Sequence, residues 1–439
     1  MCGIIGIFPA GEDMNRNQDA ARQKLREKIE AGVSMLESRG RDGSGIMKAG
    51  NGFLGHALHA VVNHVPQPVA NEKAGSILVA NCEIYNWKEL RVEHHSPKND
   101  AEALLFLLDS VDLSDDREIE RALSLLDGVY AFAYFRGGKL LVARDIIGVK
   151  PLWFSHSGGF AFASEKKVLE KLGFSPVFEL NPRHFIVLDA AGGNLHSFVR
   201  DYFDVSPVES DISEDEAVKK ISALLEASIK KRVPSRDRKV GVLFSGGVDS
   251  TLVALLLKRA GVDFTCYTTA VAWDSARLPE DLVAARKAAK LHGLPLKEIL
   301  LSPDDVLNAL PRIVPLIEDT NVVKVGVALA LDAACRHAYA DNCKVVFSGL
   351  GSEEIFAGYQ RHRSSSDINR ECLAGLRKIY ERDLYRDDVV SMSNGVELRL
   401  PFLDRDLVRY SLKLPASLKI REGARAGGAT QSVSQSTSQ

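Results

Sequence analysis

Val240-Gly241-Val242-Leu243-Phe244 carries no polar side chain and runs directly into Ser245-Gly246-Gly247-Val248-Asp249-Ser250, after which Thr251–Arg259 reads as an apolar helix. A continuous hydrophobic run suits a strand covered on both faces, as in a parallel sheet. The same rhythm returns downstream. Phe264–Thr269 reads as a second strand, Leu282–His292 as a helix and Lys344–Phe347 as another strand. This alternation predicts a doubly wound α/β domain built on a parallel sheet. From about Ser364 onward the pattern is helical.

The loop itself predicts chemistry. Its small residues deliver exposed backbone N–H groups to a helix N-terminus, where the positive end of the dipole holds phosphate oxygens. Gly246 and Gly247 leave room for close approach, Ser245 and Ser250 add hydroxyl donors, and Phe244 ends the strand beneath them. Asp249 is out of place beside an anion unless a metal is included, and a carboxylate there can hold Mg²⁺ bridging the phosphates. The segment lacks the GxxxxGK[ST] pattern of a Walker A loop. The six-residue string in its strand-to-helix setting favours a nucleotide site over an ordinary tight turn.

The first half differs. Ile4–Phe8, Ser76–Val79, Ala131–Phe135, Leu140–Ala143 and Phe160–Ala163 read as short strands, with helical periodicity only in Asp19–Leu36 and Asp100–Leu108. Stacked antiparallel sheets flanked by helices follow from that pattern. Asp204–Asp215 is acidic and aperiodic and reads as a linker. Glu216–Val233 reads as the helix that follows, with Val218, Ile221, Leu224, Leu225 and Ile229 on one face. Residues 423–439 are small and polar and read as disordered. A chain of 439 residues is long enough for such a two-domain plan. A net charge of −2 argues against nucleic acid or an anionic membrane as the main partner. No apolar run reaches the roughly 18 residues of a membrane span. The six cysteines lack CxxC spacing, which fits reduced thiols in the cytoplasm.

One of those cysteines is residue 2. Removal of an initiator Met before a small residue would leave Cys2 with a thiol and a free α-amine of pKa near ~8, a nucleophile and a general base on one residue.

Carrying both this loop and Cys2, the chain resembles the glutamine-hydrolysing asparagine synthetases over nearly its whole length. Arg39-Gly40-Arg41-Asp42-Gly43-Ser44-Gly45 is similar to the family's RGPDxSG, and Asn81-Cys82-Glu83-Ile84-Tyr85-Asn86 to NGEIYN. Arg144-Asp145 through Pro151-Leu152 resembles RDxxGxxPL, and Ala163-Ser164-Glu165-Lys166-Lys167 resembles ASExK. Ser348-Gly349-Leu350-Gly351-Ser352-Glu353-Glu354 is similar to SGEGSDE, and Gly395 through Asp404 to GVExRxPFLD. Three stretches, His56–His59, Ala357–Arg363 and Leu384–Asp388, look closer to the asparagine synthetase domain-containing branch.

The resemblance implies an N-terminal-nucleophile αββα sandwich (a class II glutamine amidotransferase) over residues 1–203 and an ATP-pyrophosphatase domain over 216–422, joined by the linker 204–215. It implies Cys2 as the nucleophile, with the Asn81 side chain and the Cys82 backbone N–H receiving the oxyanion. Glutamine would be held by Asn81, Glu83 and Asp100, with Arg39 or His59 standing in for a family Arg whose place is taken by Leu58. ATP would meet Phe244, Ser245, Gly246, Gly247, Asp249, Ser250, Thr269, Ser348 and Gly349, with Asp281 nearby, and Mg²⁺ would be held by Asp249 and Glu353. Three further departures stand out. Cys82 replaces a Gly, and strain is expected if that position needs positive φ. Leu350 replaces a catalytic-type Glu. The segment after Lys419 departs from a family stretch that carries a Lys.

The activity implied is an amide-forming ligase: ammonia from glutamine attacks a carboxyl adenylate, with aspartate as the acid, giving asparagine, AMP and pyrophosphate. A protein of another class, a degenerate nucleotide-binding regulator without ligase activity, stays open at this point, as does glutaminase activity alone. The number of subunits also stays open, with a homodimer as the candidate.

Overall fold

The structure, a computed structural model, describes residues 2–10, 18–61, 64–90, 96–190, 193–209, 211–234, 238–272 and 279–420. The expected processing of Met1 and the polar tail from residue 423 lie outside those residues. Among them the chain forms two compact units that divide between Tyr202 and Phe203.

The first unit holds two six-stranded antiparallel sheets. One has the order β10 (Phe178–Glu179), β8 (Trp153–Ser155), β9 (Gly159–Ala163), β1 (Gly3–Pro9), β3 (Gly52–Leu58), β2 (Gly43–Ala49). The other has the order β12 (Leu195–Val199), β11 (His184–Asp189), β7 (Lys139–Arg144), β6 (Gly128–Arg136), β5 (Ser76–Ile84), β4 (Val69–Asn71). Side chains alternate faces along a strand, and β1 uses both. Ile4 and Phe8 join Leu54 and Phe162 of their own sheet and Val79, Ala131 and Leu140 of the other in one core. Ile5 and Ile7 point the opposite way, onto Leu25, Ile29 and Val33 of α1 (Gln18–Met35) and Leu169 of α4 (Lys166–Lys171). The outer face of the second sheet, Leu78, Phe132 and Tyr134, packs on Leu104 and Leu108 of α2 (Asp100–Asp109) and Ile119 of α3 (Asp116–Leu125). The unit is therefore helix, sheet, sheet, helix, an αββα sandwich. The unbroken apolar run of β1 is explained by burial on both faces.

The second unit opens on α5 (Glu214–Arg232), where Ser213 caps the helix and exchanges hydrogen bonds with Glu216. The helix starts two residues before the expected linker ends, because that capping box fixes the start at Ser213. A five-stranded, all-parallel sheet follows, in the order β15 (Leu296–Leu301), β14 (Phe264–Val271), β13 (Val240–Leu243), β16 (Val345–Phe347), β17 (Glu397–Arg399). α6 (Val248–Arg259) follows β13 and α7 (Glu280–His292) follows β14, while α8 (Pro303–Ile317) and α9 (Val322–Ala340) lie between β15 and β16. The expected α6 started at Thr251. Gly247, extended at the N-cap, starts it three residues earlier, so Asp249 and Ser250 sit in the first helical turn. The C-terminal stretch read as helical contains β17, three residues too short to show any alternation.

Candidate active sites

In the first unit, the turn Arg39–Asp42 positions the residues around Cys2. The backbone N–H of Asp42 donates to the Leu58 carbonyl at 2.9 Å, and its Oδ2 accepts from the N–H of Ala60 at 2.8 Å. Gly40 permits that approach, since a Cβ there would lie 2.4 Å from the Ala57 carbonyl. The pinned segment presents the backbone of His59 to Cys2: its N–H donates to Sγ at 3.4 Å and its carbonyl lies 3.9 Å from Sγ. On the opposite side, the N–H of Cys2 donates to Asn81 Oδ1 at 3.0 Å. Asn81 is fully buried on β5, and its Nδ2 has no hydrogen-bond partner. A buried donor without an acceptor costs about 1–3 kcal/mol, so this residue, bound to the Cys2 nitrogen through Oδ1, keeps a side-chain N–H available.

Arg39 does not present its guanidinium to a ligand, as the sequence had suggested. It is fully buried; its Nε donates to the Cys2 carbonyl at 3.2 Å and its Nη1 pairs with Glu165 at 3.0 Å. Burial works against the charge on Glu165, but Lys167 and Arg39 outweigh it and hold the carboxyl below its usual range. Arg39 thus fixes the backbone of Cys2. Leu58 is buried as well and supplies no charge. His59, also buried, remains beside Cys2 from the expected pair.

Cys82 is half-buried in β5, opposite Tyr130, and is not among the described residues with left-handed φ. The strain expected from replacing Gly is absent. Burial pushes its thiol well above the ordinary range, and the charge of Asp100 adds to that. Asp100 opens α2 behind the N-cap Asn99. Burial raises its carboxyl, while the N–H of Ile84, donating to Oδ2 at 3.1 Å, works the other way. Glu83 follows on the same strand, half-buried. Cys2, Asn81 and His59 are in direct contact; Cys82, Glu83 and Asp100 adjoin them through β5 and the start of α2.

In the second unit, a pocket of about 460 Å³ opens at the carboxyl ends of β13, β14 and β16. This is where ligands bind in open α/β sheets. Phe244, Ser245, Gly247, Asp249, Ser250, Thr269, Asp281, Ser348, Gly349 and Glu353 all line it. Gly246 turns the other way. Its φ is +76°, and a Cβ would sit 2.5 Å from the Ala285 nitrogen of α7. Gly246→Ala is expected to lower the unfolding free energy by ~1–3 kcal/mol from its backbone strain alone, with the α7 clash adding to that, as measured by denaturant titration.

The pocket is electrically unbalanced. Burial raises the Asp249 carboxyl, opposed by a hydrogen bond with Ser352. Burial likewise raises Glu353, the nearby charges of Glu354 and Asp249 add to it, and Tyr359 and Arg382 oppose. Two carboxylates that repel each other across one pocket fit a hard cation, and carboxylate oxygen suits Mg²⁺. No group of three or more His, Cys, Asp or Glu able to hold a metal occurs among the described residues. A cation there would take its remaining ligands from phosphate or water.

Sequence reasoning missed four contributors. α10 (Ser352–Phe356) carries Glu354, and α13 (Tyr385–Ser393), beyond the short helices α11 (Gln360–Arg363) and α12 (Ile368–Leu376), carries Arg386 and Asp387 into the same pocket. Arg382 pairs with Glu354 from a π-helical turn, Tyr380–Leu384. The available signal was charge inside apolar stretches, Glu353-Glu354 before Ile355-Phe356 and Arg386-Asp387-Asp388 before Val389-Val390.

Comparison with known proteins bears on both sites. The glutamine amidotransferase domain family matches residues 1–209, and the asparagine synthase family matches residues 220–367 and 360–427. The putative asparagine synthetase (glutamine-hydrolyzing) 1 of Methanocaldococcus jannaschii is 31% identical, the alignment covering 96% of this chain and 82% of that protein. The probable asparagine synthetase (glutamine-hydrolyzing) of Dictyostelium discoideum is 30% identical, covering 96% and 77%. The Homo sapiens asparagine synthetase (glutamine-hydrolyzing) is 31% identical, covering 81% and 68%.

Proposed function

The chain belongs to the glutamine-hydrolysing asparagine synthetase family, and from that premise we propose that it forms asparagine from aspartate, ATP and the amide nitrogen of glutamine. The observation that carries the reading is the pairing of Cys2 with Asn81. Oδ1 holds the nitrogen of Cys2 while Nδ2 stays unpartnered.

After loss of Met1, that nitrogen is the amine that takes the thiol proton as sulfur attacks the glutamine carboxamide. Negative charge then develops on the amide oxygen. Asn81 Nδ2 and the Cys82 N–H stabilise it, and donors already in place need no reorganisation. Glu83 and Asp100 receive the substrate ammonium, and His59 faces the carboxylate. Ammonia leaves, and water hydrolyses the thioester.

In the second unit the N–H groups at the start of α6 bind the phosphates of ATP, and Ser245 and Ser250 add hydroxyls. The buried Thr269 Oγ1, unpartnered in the structure, borders the adenine side with Ser348 and Gly349. Asp249 and Glu353 would hold Mg²⁺, which would supply positive charge against the phosphates. The acceptor carboxylate attacks the α-phosphorus. Pyrophosphate leaves, ammonia attacks the acyl-adenylate, and AMP departs.

No described helix is long and apolar enough to cross a membrane. A cytoplasmic location and homodimeric assembly complete the proposal, and sedimentation reads the second. The central test uses the wild-type chain with aspartate, Mg-ATP and ammonium. Asparagine, AMP and pyrophosphate are expected in equal amounts; no pyrophosphate would overturn the assignment.

A further inference from the structure

Glu354 is a fully buried carboxylate on the wall of the nucleotide pocket, and only one of its oxygens is satisfied. Oε1 accepts from the Tyr359 hydroxyl at 2.7 Å and pairs with Arg382. Arg382 is itself fixed, by Asp383 at 2.5 Å and by the Tyr359 ring, 5.3 Å from its guanidinium. The π-helical turn Tyr380–Leu384 carries both Arg382 and Asp383, and single π turns of this kind concentrate at functional sites. Oε2 is enclosed and has no hydrogen-bond partner. An orphaned acceptor inside a protein calls for a ligand, a water or an ion. One turn away, Leu350 lines the same pocket and offers a ligand no polar side-chain atom.

The chemistry of the missing partner is narrow. A metal ion at Oε2 would stand beside the Arg382 guanidinium, a like charge in a low-dielectric setting. A small neutral N–H donor meets no such penalty. We propose that Glu354 Oε2 binds the ammonia of the ligase reaction and aims it at the activated carboxyl.

The assignment rests on the ligase reading above. In the step it serves, the ammonia nitrogen bonds to the acyl carbon and the bond from that carbon to the AMP oxygen breaks. AMP leaves with the electron pair, and the nitrogen sheds one proton to solvent. Glu354 keeps its pair with Arg382 throughout and contributes a hydrogen bond.

Glu354→Gln keeps the shape of the side chain, and two assays separate the outcomes. Exchange of labelled pyrophosphate into ATP, run with aspartate and without a nitrogen source, reads adenylation and should fall far less than amide formation. Ammonia-dependent asparagine formation should fall ~10²-fold, the scale on which one preorganised partner acts, with a raised KM for ammonia. Glu354→Asp draws the carboxylate back without removing it and should split the assays the same way if Gln at this position fails to fold. Exchange and amide formation falling together would mean a structural or metal-holding role and overturn the assignment, as would neither changing. A wild-type chain without exchange would instead bring down the ligase reading, and this assignment with it.

Discussion

Cys2→Ala should abolish glutamine-dependent asparagine formation while ammonia-dependent formation continues at a near wild-type rate. Removing a covalent nucleophile from a built site costs on the order of 10⁶-fold in comparable hydrolases, so glutaminase activity should drop below detection. The fold should survive. The bond from the Cys2 nitrogen to Asn81 and the bond from Arg39 to the Cys2 carbonyl both use backbone atoms that alanine retains. What is lost is Sγ and its contact with the His59 N–H. Rates measured with glutamine and with ammonium chloride, on one preparation, check this. A parallel loss with both nitrogen sources would show that the two centres do not work separately.

How far this site could be read from sequence depends on the range of the contact involved. Cys2, Asn81 and the loop after β13 were legible because each motif carries its own local chemistry. A thiol with its own amine, a side-chain amide, and small residues before a helix need no distant partner to be recognised. Arg39 was misread for the opposite reason. Its guanidinium is taken by Glu165, 126 positions away, and no local pattern announces that pairing. Cys82 was feared strained because a motif records residue types and not φ; only the strand pairing of β5 settles the backbone there. Glu354 went unweighed beside Glu353, since in sequence both are acidic residues at a helix start. Burial and the reach of Arg382 from a π turn distinguish them. β15 and α8 escaped notice for local reasons. Lys297 and Glu298 interrupt the apolar run of β15, and Pro311 and Pro315 inside α8 mask its helical pattern.

Asp249→Asn is expected to stop pyrophosphate release, by ~10²-fold or more on the scale of a lost transition-state charge contact, and to leave glutaminase activity in place. Asparagine keeps the shape of the side chain and removes the charge that a cation needs. Stability supplies a second readout with the opposite sign. Burial raises the Asp249 carboxyl in the folded chain above its unfolded value. A carboxyl shifted that way binds protons more tightly when folded, so its contribution turns against folding as pH rises through the unfolded pKa and up to the folded one. At neutral pH the charged side chain is therefore a burden on the empty protein, with the neighbouring charge of Glu353 adding to it. Removing it should leave the Tm of the empty chain unchanged or higher. The Tm gain on adding Mg-ATP should shrink or vanish, because a ligand stabilises only in proportion to its binding. A variant that unfolds earlier when empty and still gains fully from Mg-ATP would mean that Asp249 is a structural cap on α6 and holds no metal.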